Sequence, residues 1–371
     1  MMENIPQTLL SFVITGLFIW FAIPLAARLG LVDKPGGHKT HKDHIPVVGG
    51  MGIFLGLLSA LLIFDLNLQQ SSALLIAGLL LLLTGTLDDK YFLSAYVRFG
   101  AQIAAASILV VGDNTILANL GLLTNNFETF HLGSWAIPLT IFATVGVINA
   151  VNMTDGLDGL AGGLSLVTLT SVTVLFALSS VDNAYLVVPL FTMGAILAFL
   201  MFNYRTPWLH KAKVFMGNGG SMLLGIIVAW LLIKFSQGSD APYSPVIALW
   251  IFAIPLMDTV CIMLRRIKKG KSPFAADREH LHHIFLRLGF SVQHSVALVI
   301  AISSIFAVFG IAAHIYGLEQ HVMFYVFLGL FATYFYLMDV SWKKLSNNES
   351  IVVIGGTNTP LISPLKRDKQ L

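Results

Sequence analysis

Eleven runs of about 20 apolar residues follow one another along this chain, and they limit the fold more than any other feature. A helix needs roughly 20 residues to cross the hydrocarbon core of a bilayer, where it satisfies its backbone hydrogen bonds internally. We therefore predict an all-α polytopic membrane protein with about 11 transmembrane helices. The predicted spans are 8–29, 47–64, 71–87, 95–112, 134–151, 159–180, 184–202, 219–237, 243–264, 292–314 and 321–340.

The composition agrees with a membrane environment. Only 11% of the 371 residues are charged, against about 25% in soluble domains, and the mean hydropathy is +0.80. No positively charged stretch precedes the first apolar run, so we expect a retained span rather than a cleaved signal peptide. Cys261 is the single cysteine, which excludes an internal disulfide and a cysteine-based metal site.

Basic residues are divided unequally between alternate loops. All 22 Lys and Arg residues except Lys234 lie in or beside one set of loops. We expect the Lys234 side chain to extend from a helix end to the interface. By the positive-inside rule the basic loops are cytoplasmic, the N-terminus is periplasmic and the C-terminus is cytoplasmic. We expect one integral-membrane domain over 1–342 and a cytoplasmic tail over 343–371. The basic loops are 30–46, 88–94, 152–158, 203–218, 265–291 and the tail after 340.

Three glycine-rich stretches begin spans at the predicted cytoplasmic face, at 49–52, 156–163 and 217–220. Helix N-termini present unpaired N–H groups and a positive dipole, which favour anions, and glycine would let a phosphate approach the backbone. The alternative is that glycine permits close packing between membrane helices. Because three stretches share one face, we favour anion binding.

Acidic side chains are predicted at the same face. Asp88 and Asp89 end the third span, while Asp155 and Asp158 are three residues apart, so one helical turn would bring them together. Ionisable residues near membrane depth are costly and usually functional. Such hard oxygen ligands suit Mg²⁺, which is commonly held by one or two carboxylates and by substrate phosphates. Helix capping and ion pairs with nearby Lys or Arg are the alternatives.

The loop 265–291 is basic and rich in histidine. Its arginines could bind phosphate oxygens in bidentate geometry, and an ordinary basic loop is the alternative. Asp258 lies about two turns before Arg265 inside an apolar run, where a structural ion pair and a catalytic role are equal alternatives. Carboxylates, helix N-termini and basic loops that meet beside lipid favour phosphoryl transfer, in which catalysis is mainly positioning and charge neutralisation.

These motifs resemble those of the polyprenyl-phosphate N-acetylhexosamine-1-phosphate transferases, which are of the glycosyltransferase family 4 type. The resemblance runs from about Pro35 to Phe290 and is most specific over 149–159, 214–225 and 254–290. The run His-Leu-His-His at 280–283 resembles the histidine motif of the branch that uses UDP-GlcNAc. The branch that uses UDP-MurNAc-pentapeptide more often has three consecutive histidines, so it is the second interpretation.

The resemblance implies a reaction. A phosphate oxygen of undecaprenyl phosphate would attack the sugar-bearing phosphorus of UDP-GlcNAc, UMP would leave, and a lipid-linked GlcNAc diphosphate would form. Mg²⁺ is the expected cofactor, and Mn²⁺ could replace it. The resemblance implies a protein of the bacterial inner (plasma) membrane whose active site faces the cytoplasm. It also implies a role in lipopolysaccharide synthesis, at the start of O-antigen or enterobacterial common antigen assembly. No nucleic-acid partner is expected. The sequence leaves the N-acetylhexosamine, the lipid length and the oligomeric state open.

Carried over by position, the resemblance implies roles at the metal and the lipid phosphate. Asp88 or Asp89 would receive or orient the lipid phosphate. Asn152 would help to hold the metal, and Asp155 would lie beside it. The family has an aspartate as a metal ligand where this chain has Asn218. The amide keeps the shape and a carbonyl oxygen, but it lacks the charge that binds Mg²⁺ strongly.

The resemblance also implies roles at the donor substrate. Asp158 would hydrogen-bond uracil and Phe215 would stack on it. The residues expected at the diphosphate, the sugar and the lipid phosphate are His280, His282, His283, Arg265, Arg266 and Lys42. A transporter is the alternative of a different class, but transporters bind substrates near the middle of the membrane on broken helices. In this chain all the motifs except Asp258 lie at helix ends. This location favours an enzyme over a transporter.

The charge division makes the topology testable. In a Cys261→Ala background, Asn125→Cys should react with a membrane-impermeant maleimide added to intact cells, and Ala276→Cys should react only after the cells are permeabilised. The first position lies in the loop 113–133 and the second in the loop 265–291. The reverse labelling pattern would show that the active-site face is periplasmic.

Overall fold

The computed structural model of the protein describes residues 5–33, 44–63, 68–126, 128–179, 183–273 and 279–347. Within these ranges the α-helices are α1 (Ile5–Leu29), α2 (Gly49–Ile63), α3 (Leu68–Tyr91), α4 (Ala95–Asp113), α5 (Ala136–Thr154), α6 (Leu160–Ala177), α7 (Val187–Asn203), α8 (Gly217–Lys234), α9 (Pro245–Ile251), α10 (Ala253–Lys268), α11 (Leu281–Arg287), α12 (Val292–Ile315) and α13 (Gln320–Asn347). Two short strands, β1 (Val32–Asp33) and β2 (Ile45–Pro46), pair antiparallel. The prediction of an all-α polytopic membrane protein is confirmed.

Every predicted span corresponds to a helix or a helix pair, but the helices differ in length. Over the described ranges, eight helices are long and apolar enough to cross a membrane, and the bent pair α9 and α10 would make nine. The helices α2 and α7 have 15 and 17 residues. At 1.5 Å per residue they are about 23 and 26 Å long, somewhat less than a hydrocarbon core of roughly 30 Å. The α13 helix continues past the predicted domain boundary at 342.

The prediction of one continuous span over 243–264 is wrong. The α9 and α10 axes are bent by 85° at Phe252. Pro255 gives the physical reason, because it has no N–H to donate to the carbonyl of Ile251 four residues earlier, and its ring collides with that carbonyl. A single 16-residue helix, α10, therefore carries both Asp258 and Arg265 after the bend.

One face of the bundle collects the end of α3, the start of α4, the end of α7 and the starts of α6 and α8. Arg98 Nη1 donates to Asp88 Oδ2 at 3.2 Å, which joins α4 to α3. The backbone N–H of Gly159 donates to Asn203 Oδ1 at 2.6 Å, and Asn203 Nδ2 donates to the Val214 carbonyl at 2.9 Å. Successive helices therefore alternate in direction, and three of the basic loops share this face.

The opposite face is held by a second polar cluster. Lys234, at the end of α8, forms an ion pair with Asp113, at the end of α4. The same carboxylate accepts a hydrogen bond from Trp230 Nε1 at 2.6 Å. Gln320, the first residue of α13, accepts one from the backbone of Leu122 at 3.0 Å. At this helix end the ammonium group of Lys234 is paired with a carboxylate, and its extension to the interface stays a prediction.

The α8 helix is the most enclosed of the long helices, with 83% of its apolar window buried, and it packs against α2, α3 and α5. Glycines allow the backbones of these helices to approach one another closely, because they have no side chain. A Cβ on Gly50 would overlap the backbone of Gly220, and a Cβ on Gly85 would overlap the backbone of Gly219. These glycines serve helix packing, as in other membrane bundles. At Gly50, Gly219 and Gly220 the expectation that glycine leaves room for a phosphate is not met, because neighbouring helix backbone fills the space.

A glycine pair tests this packing. Gly50→Ala should lower the free energy of unfolding by about 1–3 kcal/mol, because the added methyl group overpacks the α2–α8 contact. The control is Gly146→Ala in α5, where nothing lies within 4 Å of the added Cβ. That change should leave stability unchanged or raise it by up to about 1 kcal/mol. Thermal unfolding in detergent, followed by fluorescence-detected size exclusion, measures both. Equal midpoints for the two variants would contradict the packing role of Gly50.

Candidate active site

The side chain of Asn218 connects three helices at the centre of the basic face. Its Nδ2 donates to Asp88 Oδ2 of α3 at 2.9 Å. Its Oδ1 accepts a hydrogen bond from Asn152 Nδ2 of α5 at 3.1 Å. Asn152 Nδ2 also donates to Ser221 Oγ, one turn into α8, at 2.7 Å. The structure thus brings together three of the residues that were predicted to lie at the metal and the lipid phosphate.

The carboxylate of Asp89 caps the N-terminus of α8. The backbone N–H of Asn218 lies 3.2 Å from Asp89 Oδ1 and 3.0 Å from Oδ2. Gly217, which has a φ of +77°, lies so close that an added Cβ would stand 2.5 Å from Asp89 Oδ2. A glycine is required there both by the left-handed backbone and by the carboxylate. The predicted anion at this helix end is therefore, in this structure, a side chain of the protein itself.

Asp155 and Asp158 lie in the turn between α5 and α6, not on one helical turn as predicted. Asp155 follows the last residue of α5, and its backbone N–H donates to the Asn152 carbonyl at 3.2 Å. Gly159 has a φ of +86° and ends the turn before α6. Part of Asp155 stays exposed. Desolvation by the surrounding protein, followed by the negative charges of Asp89 and Asp158, raises the pKa of this carboxyl well above its usual value.

Asn203, the last residue of α7, and Arg205 just after it organise this turn, and the sequence analysis did not single them out. Arg205 Nε donates to Asp158 Oδ2 at 2.5 Å, so the carboxylate predicted to contact uracil is already paired with a guanidinium. Asn203 is buried and connects Gly159 with Val214 through the two bonds described above. In the sequence they are marked only by their position at the end of an apolar run. Many polar surface residues have the same position, so it does not distinguish these two.

Phe215 lies immediately before α8 and is held by its backbone. Its N–H donates to the Pro46 carbonyl at 2.8 Å, and its carbonyl accepts from the Gly49 N–H at 3.0 Å. The segment forms a parallel bridge between Val47 and Phe215. The phenyl ring is half-buried. The structure thus fixes its backbone beside the first turn of α8, close to Asn218.

The histidines of 280–283 approach the same turn from the C-terminal part of the chain. The rings of His280 and His282 are nearly parallel, with an interplanar angle of 9° and centroids 5.5 Å apart, and His283 lies 4.2 Å from His282. A Cβ added to Gly156 would stand 2.9 Å from His282 Nε2. Burial, followed by the charges of His283 and His280, lowers the pKa of His282 well below its usual value. His282 is therefore a neutral ring against the aspartate-bearing turn.

The buried arginines at the end of α10 are engaged by protein groups. Arg265 forms ion pairs with Glu279 at 2.7 Å and with Asp339 at 3.0 Å. Arg266 Nη1 donates to the Pro273 carbonyl at 2.6 Å. These bonds hold Pro273 and Glu279 against the end of α10. A contact of either arginine with substrate stays a prediction.

Glu279 connects the basic helix end to the histidine run. It accepts hydrogen bonds from Lys269 at 2.5 Å and from Arg265 at 2.7 Å. Burial alone would raise the pKa of Glu279, but hydrogen bonds from Lys269 and Arg265 outweigh burial and hold the pKa below its usual value. Its carboxylate is therefore ionised at neutral pH. The predicted lipid-phosphate residue Lys42 lies outside the described residues.

The oxygen donors around Asn218 fit Mg²⁺ by type. They are the carboxylate of Asp88 and the amide oxygen of Asn218, and the amide group of Asn152, whose nitrogen faces Asn218, carries a third oxygen. Mg²⁺ prefers such hard ligands. Within the ranges that the structure describes, no three His, Cys, Asp or Glu side chains form a group that could hold a metal ion. The donor set therefore has the chemistry of a magnesium site but a low negative charge, because two of its three members are amides.

Comparison with known proteins identifies the family. Residues 71–236 match the family model of glycosyl transferase family 4. The chain is 38% identical over 334 residues to the undecaprenyl-phosphate alpha-N-acetylglucosaminyl 1-phosphate transferase of Escherichia coli strain K12, and the match covers 90% of each chain. The chain belongs to glycosyl transferase family 4. Proteins of the same name from Haemophilus influenzae and Pasteurella multocida are also 38% identical, over 86% and 90% of this chain and 90% and 94% of theirs.

The family match confirms the resemblance seen in the sequence, and the match to the relative from Escherichia coli strain K12 extends over 334 residues. The matched region contains Asp88, Asp89, Asn152 and Asn218, which all lie between α3 and α8. The histidine run lies beyond residue 236. Its contact with Gly156 nevertheless attaches it to the site that the family region forms.

Asn218 offers a test of the metal site that does not depend on activity. Asn218→Asp would add a third carboxylate beside Asp88 and Asp89 and should tighten Mn²⁺ binding by at least roughly tenfold, since ligand charge sets the affinity for such cations. Electron paramagnetic resonance of free Mn²⁺ during a titration measures the dissociation constant. Asn119→Asp, which adds the same charge to the loop 113–133, is the control. An unchanged affinity in Asn218→Asp would remove Asn218 from the metal site.

Proposed function

We propose that this protein transfers N-acetylglucosamine 1-phosphate from UDP-GlcNAc to undecaprenyl phosphate and releases UMP. The observation that carries the proposal is the convergence of Asp88, Asp89, Asn152, Asn218 and the aspartates of the α5–α6 turn at one end of a membrane bundle. A lipid acceptor reaches such a site from the bilayer, and a nucleotide reaches it from water. The names of the three relatives support this choice of acceptor and sugar.

The chemistry needs positioned charges more than a covalent intermediate. An oxygen of the lipid phosphate forms a bond to the sugar-bearing phosphorus, and the bond from that phosphorus to the UMP oxygen breaks. Asp88 and Asp89 orient the acceptor phosphate, and Asp155, with its raised pKa, lies beside them. A bound Mg²⁺, held by Asp88, Asn152 and Asn218, would neutralise charge on the diphosphate, and Mn²⁺ could replace it.

The donor contacts follow from the same geometry. Phe215 lies beside α8 and stacks on uracil, while Asp158 hydrogen-bonds it and is oriented by Arg205. The histidines 280, 282 and 283 contact the diphosphate and the sugar from the opposite side of the turn at Gly156. Arg265 contributes by holding Glu279, which begins the histidine segment.

The cellular setting follows from the charge division. We place the basic face in the cytoplasm and the protein in the bacterial inner membrane, because all Lys and Arg residues except Lys234 lie on the loop set of this face. UDP-sugars are made in the cytoplasm, which suits this orientation. A lipid-linked GlcNAc diphosphate would begin lipopolysaccharide O-antigen or enterobacterial common antigen synthesis. Another UDP-N-acetylhexosamine or UDP-MurNAc-pentapeptide would use the same bond changes.

The direct test is release of UMP by the purified protein in nanodiscs that contain undecaprenyl phosphate. UDP-GlcNAc and Mg²⁺ should give UMP and a lipid-linked product in equal amounts. UDP-GalNAc and UDP-MurNAc-pentapeptide, assayed in parallel, compare the other donors. Absence of UMP with every donor would refute the proposed function.

Two substitutions separate donor binding from turnover. Phe215→Ala should weaken UDP-GlcNAc binding by about 1–3 kcal/mol, judged from base stacking on aromatic side chains. Asp89→Asn, which keeps an oxygen to cap α8, should lower kcat roughly 100-fold while leaving nucleotide binding nearly unchanged. Phe142→Ala, at an exposed position of α5, is the control. Parental affinity in Phe215→Ala would show that the ring does not contact uracil.

A further inference from the structure

Asp258 has a partner that the sequence did not indicate. It is 5% exposed and lies on α10, where an ion pair with an arginine was one of two equal alternatives. Its Oδ2 instead lies 2.7 Å from His280 Nδ1. Its Oδ1 accepts hydrogen bonds from the Leu281 N–H at 3.0 Å and from the Tyr334 hydroxyl at 2.8 Å. One carboxylate thus touches the first histidine, the first backbone amide of α11, and the last long helix, α13.

The hydrogen-bond pattern around this carboxylate sets the proton position on the histidine. An ionised carboxylate only accepts, and the Leu281 N–H and the Tyr334 hydroxyl already donate to Oδ1. Three donors around one carboxylate favour the ionised form. His280 Nδ1 must then carry the hydrogen that it shares with Oδ2. Nε2 becomes the remaining ring nitrogen of His280 for contacts with other groups.

The same carboxylate also sets where the imidazole lies. His280 is 6% exposed, and its ring is nearly parallel to that of His282, whose Nε2 faces Gly156. In the described residues His282 Nε2 is buried without a hydrogen-bond partner, which leaves one polar atom directed at the aspartate-bearing turn. A shift of His280 would move this stack. Asp258 therefore controls both the tautomer of His280 and the position of the stack of rings.

We propose that Asp258, supported by Tyr334, is a positioning residue for the transfer reaction: it fixes His280 as a ring protonated at Nδ1 and anchors the start of α11. The proposal rests on the proposed function, since Nε2 of His280, as an acceptor, would contact a hydroxyl of the donor sugar. It also assigns a role to α13, which lies outside the region matched by the family model. The buried Asp258 does not touch substrate and acts through His280.

The decisive variant is Asp258→Asn, which keeps the shape of the side chain. Its oxygen can still accept from Leu281 and Tyr334, so its amide group faces His280 and donates to Nδ1. The proton of His280 then moves to Nε2, the opposite tautomer. We expect kcat to fall roughly 100-fold, as when one positioned hydrogen-bonding group of an active site is lost. The dissociation constant of UMP, which lacks the sugar and the sugar-bearing phosphate, should change less than about threefold, since stacking on uracil is untouched.

Nitrogen-15 NMR of histidine-labelled protein in nanodiscs gives a readout that a merely structural residue would not move. The His280 signals are assigned by their loss in His280→Gln. The parent should show Nδ1 protonated, and Asp258→Asn should show Nε2 protonated and Nδ1 bare. A parental His280 with Nδ1 bare, or an unchanged tautomer in Asp258→Asn, overturns the proposal. The parent measurement decides the matter even if the variant does not fold.

Two further variants provide the controls. Asp113→Asn alters another carboxylate that accepts from three donors, at the end of α4 away from the candidate active site. It should reproduce the loss of stability without touching a histidine. Its kcat and its histidine spectrum should match the parent. Tyr334→Phe removes one donor and should keep the His280 tautomer with a fall in kcat of less than about tenfold. Equal losses of kcat in Asp258→Asn and Asp113→Asn would overturn the positioning role.

UMP release and the NMR comparison together separate this inference from the proposed function. A parent that releases no UMP from any donor refutes the transferase proposal. The NMR comparison of parent and Asp258→Asn still decides whether Asp258 sets the proton on His280. An active parent in which Asp258→Asn keeps full kcat refutes the positioning role and leaves the transferase proposal standing.

Discussion

The hydrogen bonds between the Asp89 carboxylate and the first turn of α8 hold the centre of this protein together. A helix N-terminus enclosed within a membrane bundle has backbone N–H groups that water cannot easily reach, and each one left unpaired costs free energy. Asp89 accepts from the Asn218 N–H, and the adjacent Asp88 accepts from the Asn218 side chain. The two neighbouring aspartates thus fix α8 against α3. The positions of Asn152 and Phe215 relative to α3 follow from that contact.

The sequence predicted the helices well, because a run of about 20 apolar residues has few other structures available in a bilayer. It also predicted which polar residues come together, since Asp88, Asn152 and Asn218 all stand at helix ends on the basic face. It did not predict the bend at Phe252, although Pro255 was visible, because prolines are also tolerated inside membrane helices. Asn203 and Arg205 were missed because their roles depend on which distant backbone group lies beside them.

The glycine-rich stretches show why one pattern can mislead. Anion binding and close helix packing require the same residue, and composition cannot separate them. Gly50 and Gly220 are in backbone contact across α2 and α8, so no space remains beside them. Asn218 illustrates the opposite case. The sequence revealed the substitution of the family's aspartate, and the structure shows what the amide does: it donates to Asp88, which a carboxylate could do only if protonated.

The ion pair of Lys234 with Asp113, at the far end of α8, has a mechanical consequence. The α8 helix is bonded to α4 at that end and to α3 at its other end, so both of its ends are fixed. A shift of α8 by one turn, about 5.4 Å, would break both sets of bonds at once. It would also place the ammonium group of Lys234 among apolar side chains. Asn218 at the start of α8 is therefore held in place against Asp88 and Asp89 of α3. On the proposed function, an opening that admits the two substrates must come from other elements, such as α11 with His282 and His283.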